Sequence, residues 1–352
     1  MSPDFWSLYR QMLTSRRIEE AVAQLWADGL ISGEMHLGTG EEAIVAGVLD
    51  HLQEGDAMAL DHRGTPPLVM RGIGLVPLLR EFLGRPDGLC SGMGGHMHLF
   101  SREHLVASSG IVGASGPAAV GFALSAQVLR PNAVAIAFFG EGAANQGMLM
   151  ESMNLAAAWQ LPVLFVCKDN GWSLTTLSET STGGRLVERA RGFGLSAAQV
   201  DGSAVATVWH AAGQAIDRAR AGGGATFLLA RCTHLDAHFL DEQLLRTARR
   251  PVKEIAAIAG PMTRSFLQLR GASLRERLAG LTRILALIRK SHSDHVTAPL
   301  DPLVRTRRRL EGEPGRLRTL EAEVEGEIEA AVATVRTPAS VDELDRENLE
   351  IS

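Results

Sequence analysis

Gly140-Glu141-Gly142-Ala143-Ala144-Asn145-Gln146-Gly147 and, further on, Lys168-Asp169-Asn170-Gly171-Trp172 decide the fold of this 352-residue chain. Each follows an apolar run, residues 133–139 before the first and 162–167 before the second. Short apolar runs bounded in this way read as buried strands. Glu141 and Asn170 therefore stand at strand ends, and in a parallel α/β sheet the strand ends on one edge form the ligand crevice. A helix starting after Gly142 offers free backbone N–H groups to a phosphate. Carboxylate, amide and helix N-terminus together suit a hard cation holding a diphosphate. A dinucleotide site is the competing reading of Gly-x-Gly after a strand, but Asn145 stands where the third glycine of that fingerprint belongs.

The alternation continues outward. Residues 197–200 and 226–232 read as further strands, with helices over 148–160 and 204–221. This order implies an α/β fold with a doubly wound parallel sheet. Upstream, helices are expected over 3–30, 41–52, 75–83 and 117–129. Residues 57–67 read as a short strand and a turn ended by Pro66-Pro67. Residues 31–42, 88–100 and 109–121 are glycine-rich loops, too rich in glycine for stable helix. Beyond residue 240 the character shifts. Residues 241–290 are Arg- and Leu-rich with a helical period, 292–300 read as a linker and 301–335 as helix. The division is an α/β domain over 1–240, a divergent helical insertion over 241–299 and a helical tail over 300–352. The acidic end, 341–352, is expected to be only partly ordered.

Bulk properties narrow the class. Net charge is −5 and the isoelectric point about 6.1, which argues against a nucleic-acid or membrane-surface binder. Three scattered cysteines, Cys90, Cys167 and Cys232, make no disulfide framework or zinc ribbon, and a reducing cytoplasm is the default compartment. No stretch has the roughly 18 uninterrupted apolar residues of a membrane helix. The pairs His96/His98 and His234/His238 have metal-ligand spacing. A strand leads into the second pair and no Glu follows His234, so a zinc-protease site is disfavoured.

Gly140-Glu141-Gly142 with Asn170 resembles the thiamine-diphosphate motif, whose usual form is Gly-Asp-Gly followed at a distance by Asn-Asn. Further words occur in the right order: Tyr9-Arg10, His36-Leu37, Gly40-Glu41-Glu42-Ala43, His62-Arg63-Gly64, Gly94-Gly95-His96-Met97-His98, Gly110-Ile111-Val112-Gly113-Ala114, Asn154-Leu155-Ala156 and Val200-Asp201-Gly202. Together, from about residue 8 to 232, they resemble the alpha subunit of the thiamine-diphosphate-dependent decarboxylating component of 2-oxoacid dehydrogenases, the group of the pyruvate, branched-chain and acetoin enzymes. The resemblance implies the thiamine-diphosphate-binding fold, of the phosphate-binding type, with a helical C-terminal extension. It implies that Glu141, the Asn170 side chain and the Trp172 carbonyl hold Mg²⁺, and that Gly140, Gly142 and Ala143 meet the diphosphate. His62 and Arg63 would also contact the diphosphate, and Gly110 and Val112 the aminopyrimidine ring. His36 and His98 would stand near the reacting end of the cofactor.

Four departures from the family pattern stand out. Glu141 replaces Asp and carries the carboxylate about 1.5 Å further. Lys168-Asp169-Asn170 replaces Glu-Asn-Asn. After the strand at 226–232 the family has Arg-Tyr-x-Gly-His-Ser-x-Ser-Asp-Pro. Here Arg231-Cys232-Thr233-His234 puts the His one place early, so His234 is the candidate to replace it as a catalytic residue. Residues 241–299 replace a short connection. The family activates its cofactor with a Glu on a separate pyrimidine-binding domain, and no second strand–helix repeat follows residue 240. The resemblance thus implies a separate beta-type subunit in an α₂β₂ assembly, a small 2-oxoacid or acyloin substrate, and a lipoyl-bearing acyltransferase as acceptor. No nucleic acid or membrane partner is expected. Two other readings stay open: a stand-alone decarboxylase or carboligase without lipoyl transfer, and a degenerate, non-catalytic subunit.

Overall fold

The computed structural model describes residues 2–241, 243–267, 271, 273–297 and 300–337; the acidic end over 341–352 lies outside them. Among the described residues the strands are β1 (Ala57–Leu60), β2 (Phe100–Ser101), β3 (Val106–Ser108), β4 (Ala135–Gly140), β5 (Val163–Asp169), β6 (Trp172–Ser173), β7 (Thr176–Leu177), β8 (Ser196–Asp201) and β9 (Thr226–Arg231). Seven make one sheet in the order β2-β3-β1-β4-β5-β9-β8, parallel throughout except between β2 and β3. From β1 the chain goes to β3 on one side and returns to β4 on the other. The order reverses between β1 and β4, which is where an open sheet of this kind forms its crevice.

The helices are α1 (Phe5–Ala27), α2 (Glu42–Leu49), α3 (Thr65–Met70), α4 (Leu75–Phe82), α5 (Ser115–Leu129), α6 (Gly147–Ala158), α7 (Ser178–Ser181), α8 (Leu186–Gly192), α9 (Val205–Arg220), α10 (Gln243–Arg249), α11 (Pro251–Leu267), α12 (Leu274–His292), α13 (Pro302–Leu310) and α14 (Pro314–Arg336). Successive strand residues point to opposite faces of the sheet. Ile136, Phe138, Leu164 and Val166 face Leu8 of α1, Ile44 of α2, Val208 of α9 and Val324 of α14. Ala137, Phe139 and Phe165 face Ala119 of α5, Leu149 of α6 and Ala190 of α8. Both faces are covered, so the central strands are apolar at nearly every position rather than alternating. The tail helices α13 and α14 share the first of these cores: Leu303, Leu310, Leu317 and Ile328 are buried with α1. Asp301 caps α13, accepting from Leu303 N at 2.8 Å, with Pro302 pre-set in the first turn.

Three expectations are corrected. Pro66-Pro67 do not end a turn but sit in the first turn of α3, where a proline's missing N–H would have no helical partner anyway. The linker expected over 292–300 continues α12 instead as a π-helical turn, Ser293–Thr297. Helix α8, the short strands β2 and β3, and the β6–β7 hairpin were not anticipated. The strands are only two or three residues long, below the span over which periodicity is legible.

Candidate active site

The segments leaving β1, β3, β4 and β5 wall a cleft of about 430 Å³ at the sheet's switch point. It is lined by all ten residues read as cofactor contacts: His62, Arg63, Gly110, Val112, Gly140, Glu141, Gly142, Ala143, Asn170 and Trp172. His36 lines it too. His98 and His234 do not belong to this lining. His98 is exposed beside Gly110, where an added Cβ would lie 3.3 Å from its Nε2.

Glu141 and Asn170 meet across the ends of β4 and β5. Glu141 is 2% exposed; its Oε2 accepts from Asn170 N at 3.3 Å and its Oε1 from Ser178 Oγ at 2.7 Å. Burial pushes its carboxyl up to about 7, Asp169 adds to the rise, and the hydrogen bonds from Ser178 and Asn170 offset part of it. Asn170 Oδ1 accepts from Trp172 N at 2.9 Å, closing a tight turn around Gly171, whose φ of +80° favours glycine. The Glu141 carboxylate and the Asn170 amide oxygen thus belong to one hydrogen-bonded turn that ends at Trp172. A hard divalent cation is the group that would keep this buried carboxylate ionised.

The expected helix after Gly142 is corrected. One 3₁₀ turn, Ala143–Asn145, comes first; Gln146 is extended and α6 starts at Gly147. The turn's bonds begin at Ala144 N to Glu141 O, so the Gly142 and Ala143 N–H groups stand outside its ladder. A Cβ at Gly142 would overlap Ser173 Oγ and crowd its Cβ, so a larger residue there would require Ser173 to move.

Two cations are built into the cleft. Arg63, 4% exposed, donates to the carbonyls of Leu37 and of His238, the latter at 3.0 Å. Lys168, 1% exposed, lies 2.6 Å from Glu41 Oε2 and 3.1 Å from Asp61 Oδ2. Burial opposes its charge, but Asp61 and Glu41 outweigh that and hold its pKa above the usual lysine value. The sequence departure at 168 therefore has its own counter-charges, which sequence reading missed.

The imidazoles are neutral near pH 7. Burial first, then Arg63, lowers His36 to about 3 and His96 and His238 each to about 4; burial and Arg63 also drive His62 far down. His36 Nδ1 lies 2.9 Å from His96 Nε2, so His96 rather than His98 is the residue of that pair joined to His36. Ring nitrogens of His36, His62 and His238 come within 4.8 Å of one another. Arg63 donates to His238 Nδ1 at 3.3 Å, which puts that ring's proton on Nε2; with a guanidinium alongside, the three rings suit hydrogen bonding rather than metal binding.

His234 stands apart from the lining of this cleft and lines adjoining hollows with Asn170 instead. It is 3% exposed, with Nε2 2.8 Å from Leu37 O and Nδ1 3.0 Å from Asp236 O. Both ring nitrogens face backbone carbonyls; burial keeps the ring neutral, so its single N–H donates to one of them, and on Nε2 it braces the loop after β9 against residue 37. His238, four residues on, is the one that reaches the cleft.

The chain matches the dehydrogenase E1 component family over residues 10–264, reaching into the stretch read as divergent. It is 40% identical over 245 residues to the alpha subunit of acetoin:2,6-dichlorophenolindophenol oxidoreductase from Cupriavidus necator, covering 69% of this chain and 74% of that one. The subunit of the same name from Bacillus subtilis is 37% identical over 251 residues, 70% and 75% of the two chains. The pyruvate dehydrogenase E1 component subunit alpha of Rhizobium meliloti is 35% identical over 261 residues, 71% and 75%.

Proposed function

The chain belongs to the dehydrogenase E1 component family, and from that premise we propose that it is the alpha subunit of a thiamine-diphosphate- and Mg²⁺-dependent enzyme. That enzyme decarboxylates a small 2-oxoacid or cleaves an acyloin such as acetoin, and passes the acyl group on. The observation that carries this is the convergence of Glu141, Asn170, the glycine turn at Gly142 and Arg63 in one cleft at the switch point. The cleft fits the cofactor by its chemistry. It offers a buried carboxylate that a cation would satisfy, main-chain N–H groups outside the 3₁₀ ladder, the charge of the buried Arg63 guanidinium, and an enclosed His62 Nε2 that has no hydrogen-bond partner among the described residues. Glu141, Asn170 and the Trp172 carbonyl would hold Mg²⁺. Gly142, Ala143, His62 and Arg63 would hold the diphosphate. Thiamine diphosphate supplies an electron sink for carbon–carbon cleavage.

The chain's own residues orient and hydrogen-bond the substrate. His36, backed by His96, and His238, held by Arg63, present neutral imidazoles that donate to or accept from an oxo or carboxylate oxygen. His238→Ala is expected to lower kcat by about 10²–10⁴-fold if it transfers a proton, with cofactor retention unchanged. His234→Ala should instead lower the thermal midpoint more than it lowers kcat. Equal kcat losses in the two variants would refute the assignment of His238.

A separate beta-type chain completes the site in this reading, in an α₂β₂ assembly within the cytoplasm. Ile111, Val112 and Leu174 stand exposed at the cleft's rim, apolar surface that a second chain would cover. A lipoyl-bearing acyltransferase is the natural acceptor. The altered loop after β9 favours one alternative, acyl release without lipoyl transfer. Native mass spectrometry of the chain co-expressed with a beta candidate tests the assembly. We expect both chains with thiamine diphosphate and Mg²⁺; full activity from the isolated chain would refute the split site. Acyl transfer to a lipoyl domain then separates the two acceptor readings.

A further inference from the structure

We propose that Asp294 and Trp172 form a latch through which the helical segment 274–297 holds the Asn170–Trp172 turn in its cation-binding shape. The inference rests on the metal reading above, but Lys290, Asp294 and His295 lie beyond the stretch matched to the family, which ends at 264. Trp172 is 6% exposed, and its indole N–H donates to Asp294 Oδ2 at 3.0 Å. The other oxygen of Asp294 receives Lys290 Nζ at 3.1 Å, which fixes the carboxylate. The ring of His295 lies 5.7 Å from that of Trp172, and its Nδ1 is within 3.0 Å of Ser291 O.

These contacts come from the π turn Ser293–Thr297, which brings the consecutive residues Asp294 and His295 onto the same tryptophan. Turns of this kind recur at functional sites. Helix α12 is capped at its start and tied to α10 at its end. Ser273 and Glu276 form a reciprocal capping box at its start, and His292 Nδ1 lies 3.0 Å from Ala248 O at its end.

The target of the latch is a turn with little freedom of its own. The Trp172 N–H is tied to Asn170 Oδ1, and Gly171 closes the turn in the left-handed region. The Asn170 amide oxygen is thus bonded to the main chain of Trp172, from which the indole hangs. Holding the indole N–H restrains the residue that carries one cation donor and is bonded to another. Asp294 and Trp172 are thus positioning residues whose effect is read at the metal.

The test uses the full chain with its beta-type partner and thiamine diphosphate, Mn²⁺ as the probe, and free Mn²⁺ measured by electron paramagnetic resonance. Trp172→Phe keeps the ring and the carbonyl but loses the N–H; Asp294→Ala loses the acceptor. Each is expected to weaken Mn²⁺ binding about three- to tenfold, and the double variant no further, because both remove the same bond. Asp294→Asn, which keeps an acceptor oxygen, should stay near the parent. Unchanged Mn²⁺ affinity in Trp172→Phe overturns the latch, as does multiplication of the two losses. A lower thermal midpoint with unchanged Mn²⁺ affinity also overturns it, since that is what a purely structural contact would give. Asn170→Ala separates the two levels. If it loses Mn²⁺ while Trp172→Phe keeps it, the latch alone fails; if it binds like the parent, the metal assignment fails and the latch with it.

Discussion

Asn170→Ala is expected to abolish Mg²⁺-dependent retention of thiamine diphosphate. The side-chain oxygen of Asn170 closes the turn onto Trp172 N, and its main-chain N–H donates to Glu141, so removing the side chain costs a metal donor beside that carboxylate and loosens the turn. Loss of groups that merely support a metal ligand costs about 10–100-fold in affinity, and loss of a ligand should exceed that. Equilibrium dialysis of the cofactor with and without Mg²⁺ measures it; retention equal to the parent would remove Asn170 from the metal site. Glu141→Gln keeps the shape and removes the charge, and should fail in the same way. Glu141 adds a pH signature. Its carboxyl is raised to about 7, so below that pH a proton competes with the cation. Mg²⁺ affinity should therefore fall about tenfold per unit as pH drops from 7 toward 5, the slope of one displaced proton. The same shift has the opposite sign for the metal-free fold. A raised carboxyl contributes stability below its unfolded pKa and loses it as pH rises through 7. Glu141→Gln should flatten both dependences.

How far the site could be read in advance follows from what kind of information each residue carries. The β4–Gly142 and β5–Asn170 words were legible because a buried parallel strand is an apolar run and its end is marked by a polar residue or glycine. That local rule placed Glu141 and Asn170 on one edge without knowledge of strand order. The switch point between β1 and β4 was not legible, because it depends on β3, three residues long, pairing on β1's far side. His238 escaped for a different reason. Which imidazole of the loop after β9 faces inward depends on where His234 finds carbonyl partners, and residue 37 is distant in sequence. The helix start at Gly142 was misjudged by one turn because Gln146 leaves the helical region, which its composition does not announce. Periodicity carried the helices of 241–297 but not their purpose, since the bond from Trp172 to Asp294 joins residues far apart in the chain.

Lys168→Met is expected to destabilise the chain by about 3–5 kcal/mol, the cost of breaking a buried pair by removing one partner. Read against the family pattern, Lys168 is a departure beside the metal-binding Asn. In the fold it is a junction. Glu41 precedes α2, Asp61 follows β1 and Lys168 lies in β5, and the ammonium joins all three within 3.2 Å. Methionine has nearly the same length, so packing is kept and the charge alone is lost. Among the described residues, Glu41, 2% exposed, would then have only Arg63 at 3.8 Å to answer it. The family's usual Glu at this position is incompatible with these neighbours, because it would set a third carboxylate against Glu41 and Asp61; Lys168→Glu should not accumulate as folded protein. The control is the variant that adds Glu41→Gln and Asp61→Asn to Lys168→Met. If electrostatics holds the junction, this triple variant recovers most of the loss, since replacing a whole buried ionic cluster with neutral groups costs far less than breaking it. Urea midpoints of the parent, the single variant and the triple variant decide the matter. A single variant as stable as the parent, or a triple variant no better than the single, would mean that the side chain's volume rather than its charge joins the three elements that carry the cleft.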